Sequence, residues 1–134
     1  FRKQYGKKTI FNLLGPLLNP KQPYFQMIGV SFKKEHMPKY SQALKNLGRK
    51  RHAVLQSQSG CDELLSFENN YILLDKEGGR EEMHITPKQF KFTQSLSEDN
   101  IIFGQDAIQN AENALRFFDN PAKQEHTILR ETIA

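Results

Sequence analysis

The chain has 134 residues, room for one domain, and its 37% hydrophobic content without tryptophan allows a modest core. A net charge of +4 and a pI of about 9.2 suit anionic partners (nucleic acid, phosphorylated metabolites or acidic membrane surfaces) or simply a solvated basic face. The single cysteine, Cys61, excludes an internal disulfide framework and fits a reducing cytoplasm, and no apolar run is long enough to span a bilayer.

Both ends read as cut: Phe1 opens without an initiator Met and Ala134 closes inside a helix-like run. Phe1 to Lys8 carries Arg2, Lys3, Lys7 and Lys8, either a solvated lead-in or an anion site in which a guanidinium holds a carboxylate in bidentate geometry. Thr9–Pro20, TIFNLLGPLLNP, is the longest apolar run. Thr9 can cap a short helix, Gly15-Pro16 is expected to stop it, and Asn19-Pro20 repeats the stop. The result should be a bent apolar elbow with a close approach at Gly15, packing a core or lining a narrow pocket.

Gln26–Phe32 reads as a buried strand and Glu35–Leu47 as an amphipathic helix, with Met37, Tyr40, Leu44 and Leu47 at helical spacing and Gly48 as its stop. Ala53–Gln56 returns as a strand, so the rhythm is that of a βαβ unit. The basic cluster Gly48–His52 could meet phosphates, but basic residues at a helix C-terminus are also expected from the dipole. His52 has no evident partner carboxylate and reads as structural or exposed. The loop Ser57–Gly60 then delivers Cys61-Asp62-Glu63 at the carboxyl end of a strand, where open α/β sheets bind ligands. Adjacent carboxylates are hard oxygen ligands suited to Mg²⁺, although such a pair is more often a solvated loop.

Asn70–Asp75 and Arg80–Ile85 read as a hairpin with one wet face. Thr86-Pro87-Lys88-Gln89 is a capping box opening a short helix. Gly104–Phe118 is the clearest later helix, its stripe of Ala107, Ile108, Ala111, Leu115 and Phe118 expected to be a packing face.

These motifs also carry a likeness. Arg2 followed by Gly6 and TIFNLLGPLLNP resembles the segment that marks the anthranilate phosphoribosyltransferases of tryptophan biosynthesis, with Gly60-Cys61-Asp62-Glu63 as a second match and Asn110-Ala111 within a looser third. Cys61 stands where the family usually has an aliphatic residue. The resemblance implies a fragment of the large α/β domain of a nucleoside phosphorylase/phosphoribosyltransferase-type fold, spanning 1–134 as one unit: a sheet with flanking helices and one antiparallel hairpin. It implies transfer of phosphoribosyl from phosphoribosyl pyrophosphate to anthranilate with release of pyrophosphate. Asp62 and Glu63 would hold Mg²⁺, Arg2 would grip the anthranilate carboxylate, and Gly15 and Pro16 would line the anthranilate channel; no catalytic acid or base is implied.

The family's glycine-rich phosphate loop and its small helical domain, through which it forms a homodimer, are not in these 134 residues. The chain alone is therefore expected to be inactive. A non-catalytic nucleic-acid-binding relative of the same fold is the alternative, disfavoured by the intact elbow and acidic pair. A pyrimidine nucleoside phosphorylase-like enzyme would need no such pair, and its own motifs are not visible. No membrane partner is expected, and the setting is expected to be cytoplasmic.

Overall fold

The computed structural model of the chain describes residues 14–31, 33–90, 97 and 106–122. Four strands form one sheet in the order β1-β2-β3-β4: β1 Phe25–Gly29, β2 Arg51–Ser57, β3 Asn70–Lys76 and β4 Gly79–Ile85. β1 and β2 run parallel, with Ile28 opposite Val54, and helix α1 (Met37–Asn46) connects them in the expected βαβ unit. β3 returns antiparallel to β2, and β4 antiparallel to β3 through the two-residue turn Glu77-Gly78. The fold is therefore α/β with one antiparallel hairpin, as the sequence pattern implies.

One face of the sheet packs on α1. Ile28, Val30, Val54 and Leu73 meet Met37, Tyr40 and Leu44, with Leu17 and Tyr71 against the cluster. Leu44 and Val54 are wholly buried. The helical spacing of Met37, Tyr40 and Leu44 aligns them on one stripe, and the strand period turns Ile28 and Val54 toward it. Leu47, at the C-cap, is half exposed instead of packed. Gly48 has φ +79, and its N–H donates to the Lys45 carbonyl while that of Arg49 donates to Leu44. This 5→2 and 6→1 pairing consumes the last helical carbonyls and requires the left-handed conformation glycine adopts freely.

The structure revises several expectations. β1 ends at Gly29, and Met27 is 61% exposed because among the described residues only the Ile28 face of this strand is covered. A continuous apolar run does not reveal which side of a strand is packed. The first half of the elbow lies outside the described residues. Gly15–Leu17 forms a 3-10 turn, with the Leu18 N–H donating to the Leu14 and Gly15 carbonyls. Leu14 is α-helical and the chain passes into the 3-10 turn at Gly15-Pro16, where the stop is expected, and proline within that first turn loses no needed donor.

Among the described residues of the elbow, Leu14 and Leu18 are exposed, only Leu17 packs against the core, and a Cβ at Gly15 would meet nothing within 4 Å. Among the described residues, the close approach expected there is not found. The Asn19 turn is present, its side chain accepting from the Lys21 N–H at 3.0 Å. Half of the Thr86 capping box forms: Gln89 Oε1 accepts from the Thr86 N–H at 2.6 Å above a 3-10 turn, Pro87–Phe90, while the Gln89 N–H donates to the Thr86 carbonyl and not to its hydroxyl.

Helix α2, Ala107–Asp119, is capped by Asp106, which accepts from the Gln109 N–H at 2.8 Å. Its expected packing stripe is open: Ile108 is 73%, Leu115 64% and Phe118 75% exposed, and Phe117 is the buried residue of the helix. Periodicity identifies an apolar face but not its cover.

Candidate functional site

Beyond Ser57, at the carboxyl end of β2, the chain makes an excursion from Gln58 to Asn69 before entering β3. Its base is closed reciprocally: the Gln58 N–H donates to the Asn69 carbonyl and Asn69 Nδ2 to Gln58 Oε1, both at 2.7 Å. Buried Asn70 accepts from the Leu65 N–H and donates to the Leu65 and Glu68 carbonyls, at 2.8 to 2.9 Å. Ser57 fixes the near side, its N–H donating to the Cys61 carbonyl at 3.0 Å and its hydroxyl accepting from the Cys61 N–H at 3.1 Å. Ser59 takes the Glu68 carboxylate with its N–H and hydroxyl, at 3.2 and 2.6 Å.

This leaves Asp62 and Glu63 at the apex. Both are exposed, and neither has a cationic partner among the described residues. Asp62 Oδ1 accepts only a weak bond from the Cys61 thiol at 3.9 Å among the described contacts, whereas Glu68, Asp75 and Glu81 are each engaged by a hydroxyl or a cation. Two carboxylates side by side on a pinned loop, without a cationic partner among the described residues, are a donor set of the kind Mg²⁺ takes, which is completed by water and substrate phosphates. Among the described residues no group of three or more His, Cys, Asp or Glu is gathered for a metal, so an all-protein cage is not formed there. Burial pushes the Cys61 thiol up, and the charges of Asp62 and Glu63 add to this against the Glu63 N–H. Such a thiol is a poor nucleophile, and the residue is half-buried.

Gly29 seats this loop, and the sequence reading missed it. A Cβ at Gly29 would lie 1.7 Å from the Asp62 carbonyl oxygen and 2.6 Å from its carbon. The loop backbone therefore crosses the carboxyl end of β1 in contact with Gly29, a close approach only glycine permits. A glycine inside an apolar strand is the sequence signal for this, present at Gly29 in QMIGV.

Gly15 and Pro16 sit elsewhere. The Pro16 carbonyl accepts from Gln26 Nε2 at 2.8 Å, near the start of β1, whereas Asp62 lies at the opposite end of that strand. No hydrogen bond among the described residues joins the two segments. Arg2 lies outside the described residues.

The basic cluster Gly48–His52 differs from its expectation. Arg49 is buried, donating from Nε to Gln26 Oε1 at 2.8 Å and from one Nη to the Asn19 carbonyl at 2.9 Å. His52 is 1% exposed and does have a carboxylate partner, because the β2–β3 register sets it opposite Asp75. Its Nδ1 lies 3.1 Å from the Arg49 carbonyl, which can only accept, so this nitrogen carries a proton. Its Nε2 faces Ser41 Oγ at 3.0 Å and Asp75 Oδ2 at 3.4 Å.

Ser, His and Asp meet here, but not as a hydrolytic triad. The carboxylate faces the same ring nitrogen as the serine, and the Ser41 hydroxyl already donates to Asp75. Arg80 closes the network, donating to Asp75 at 3.0 Å and to Ser41 Oγ at 2.8 Å. Burial pushes the Asp75 carboxyl up, but the Ser41 and Arg80 hydrogen bonds with the Arg80 and His52 charges outweigh it and hold the carboxyl below its usual value.

Comparison with known proteins agrees with this architecture. The family model described as glycosyl transferase family, a/b domain, matches residues 1–134. A relative named anthranilate phosphoribosyltransferase from Prochlorococcus marinus (strain NATL1A) is 37% identical over 126 residues, 93% of this chain and 35% of its own. Two solved structures of anthranilate phosphoribosyltransferase from Saccharomyces cerevisiae share the fold. One, in complex with 4-fluoroanthranilate, has a TM-score of 0.72 at 24% identity, covering 90% of this chain and 32% of that one. The other, in complex with PRPP and Mg, has a TM-score of 0.72 at 23% identity, covering 89% and 32%. The chain thus spans about a third of the length of the relatives it matches, and a nucleic-acid-binding relative finds no support among them. From its motifs, its βαβ unit and this end-to-end match, the chain belongs to the glycosyl transferase family, a/b domain.

Proposed function

We propose that this chain supplies the metal-binding part of an enzyme that transfers the phosphoribosyl group of phosphoribosyl pyrophosphate to the amine of anthranilate, releasing pyrophosphate. One observation carries the reading: Asp62 and Glu63, without a cationic partner among the described residues, stand at the carboxyl end of β2 on a loop seated against Gly29, in a chain whose relatives bear that enzyme's name. Asp62 and Glu63 would hold Mg²⁺, which when bound supplies positive charge to a leaving pyrophosphate. Arg2 would grip the anthranilate carboxylate in a bidentate pair, fixing the direction from which the amine arrives. Gly15 and Pro16 would line the path by which anthranilate enters. The aryl amine is neutral near pH 7, so positioning and charge neutralisation carry the reaction without a strong base in this chain.

Residues 1–134 form one α/β unit in this reading, to be completed by a glycine-rich phosphate loop and a small helical domain that mediates a homodimer in the cytoplasm. The chain by itself is then inactive. The test is loss of anthranilate fluorescence with phosphoribosyl pyrophosphate, with and without Mg²⁺, in the longest natural chain containing this segment. Metal-dependent loss that falls at least about tenfold in Asp62→Ala supports the reading. No loss with the protein folded, or turnover by the 134 residues alone, contradicts it.

A further inference from the structure

At the end of the sheet opposite the acidic loop, a cleft of about 750 Å³ opens between the C-terminus of α1, the start of β2 and the β3–β4 turn. It is lined by Lys45, Arg49, Lys50, Lys76 and Arg80, with Asp75 as the one carboxylate. Lys76 is paired with Glu81 and Arg80 with Asp75. Lys45 and Lys50 are exposed and have no carboxylate partner among the described residues.

Arg49 lines the cleft, but its guanidinium is anchored toward β1 by two residues that do not line it, so the anion-facing charges are Lys45, Lys50 and Arg80. The Arg49 guanidinium is always charged, the residue is 7% exposed, and both of its described hydrogen bonds go to neutral acceptors, Gln26 Oε1 and the Asn19 carbonyl. Arg80 is held rigid by Asp75 and Ser41 yet remains about a third exposed, and Gly78 and Gly79 leave that wall without side chains. The lining contains no Phe, Tyr, Trp or aliphatic side chain, and its one aromatic ring, that of His52, is buried at 1% exposure.

We propose that this cleft binds a small phosphate-class anion, inorganic phosphate or pyrophosphate, between Lys45 and Lys50 on one side and Arg80 on the other. The site is separate from the acidic loop and does not depend on the proposed transferase activity.

The probes are inorganic phosphate and pyrophosphate, titrated separately into the isotopically labelled chain at constant ionic strength with a chelator present. Saturable amide shifts centred on Lys50, Gly78 and Gly79 are expected, with a rise in Tm on saturation. Lys45→Glu with Lys50→Glu should weaken binding at least about tenfold, and the milder Lys45→Gln with Lys50→Gln should weaken it less, in the same direction. The tighter of the two probes identifies the ligand's size. Shifts that do not saturate, that centre on Cys61–Glu63, or that survive in both double variants overturn the proposal.

Discussion

Gly29→Ala tests how the acidic loop is held. In the structure the added methyl would lie 1.7 Å from the Asp62 carbonyl oxygen. Carbon–oxygen contacts rest at about 3.3 Å or more, so the two must separate by roughly 1.6 Å. β1 cannot easily yield: its five residues are paired in register with β2, and the Val30 N–H just beyond donates to the Leu55 carbonyl at 3.0 Å. Asp62 cannot retreat alone either, because Cys61 is bonded to Ser57 through both its N–H and its carbonyl.

The overpacking should cost about 1–3 kcal/mol, and the yielding part should be the apex that carries Asp62 and Glu63. Cys61, the sole cysteine and half-buried beside Asp62, reports that displacement directly. A thiol reagent should label it several-fold faster in Gly29→Ala than in the parent chain, alongside a lower denaturation midpoint. Gly15→Ala is the control: its Cβ meets nothing within 4 Å, so stability should stay within about 0.5 kcal/mol and the labelling rate should not change. If Gly29→Ala leaves both readouts at the values of Gly15→Ala, the seating of the loop on Gly29 is wrong. In the longer enzyme, a displacement of this size should also lower turnover by about a hundredfold if the pair holds the metal.

The remaining predictions concern the core and the buried network. Leu44→Ala empties the centre of the α1–sheet contact, where Leu44 is wholly buried, and should cost about 2–5 kcal/mol by denaturant titration. Ser41→Ala removes the hydroxyl that donates to Asp75, accepts from Arg80 and faces His52; it should cost about 1–3 kcal/mol, with no effect on Cys61 labelling.

Asp75 titrates below its usual 3.8 in the folded chain, so the folded state binds its proton less readily than the unfolded one. Its contribution is therefore present above about pH 4 and is lost as pH falls through the lower folded value. Asp75→Asn should flatten the stability–pH curve below pH 4, and an unchanged acid limb would refute this.

Much of the architecture follows from the sequence alone. The helical spacing of Met37, Tyr40 and Leu44, the glycine stop at Gly48, the alternation around the Glu77-Gly78 turn and the Thr86–Gln89 capping box are local signals, and each became the element it announces. The acidic pair at a strand's carboxyl end was legible for the same reason, since loop position follows from strand order.

What the tertiary structure decided is what meets what. Among the described residues the close approach is at Gly29 and not at Gly15, because it depends on where the loop carrying Asp62 crosses β1. His52 gained a carboxylate because β2–β3 register sets Asp75 opposite it, and Arg49 went inward because Gln26 and the Asn19 carbonyl wait there. Met27 and the α2 stripe show the converse, as composition makes a face apolar but only a neighbouring surface buries it. Period and propensity are properties of a segment, whereas burial, pairing and charge compensation belong to pairs of segments far apart in the chain.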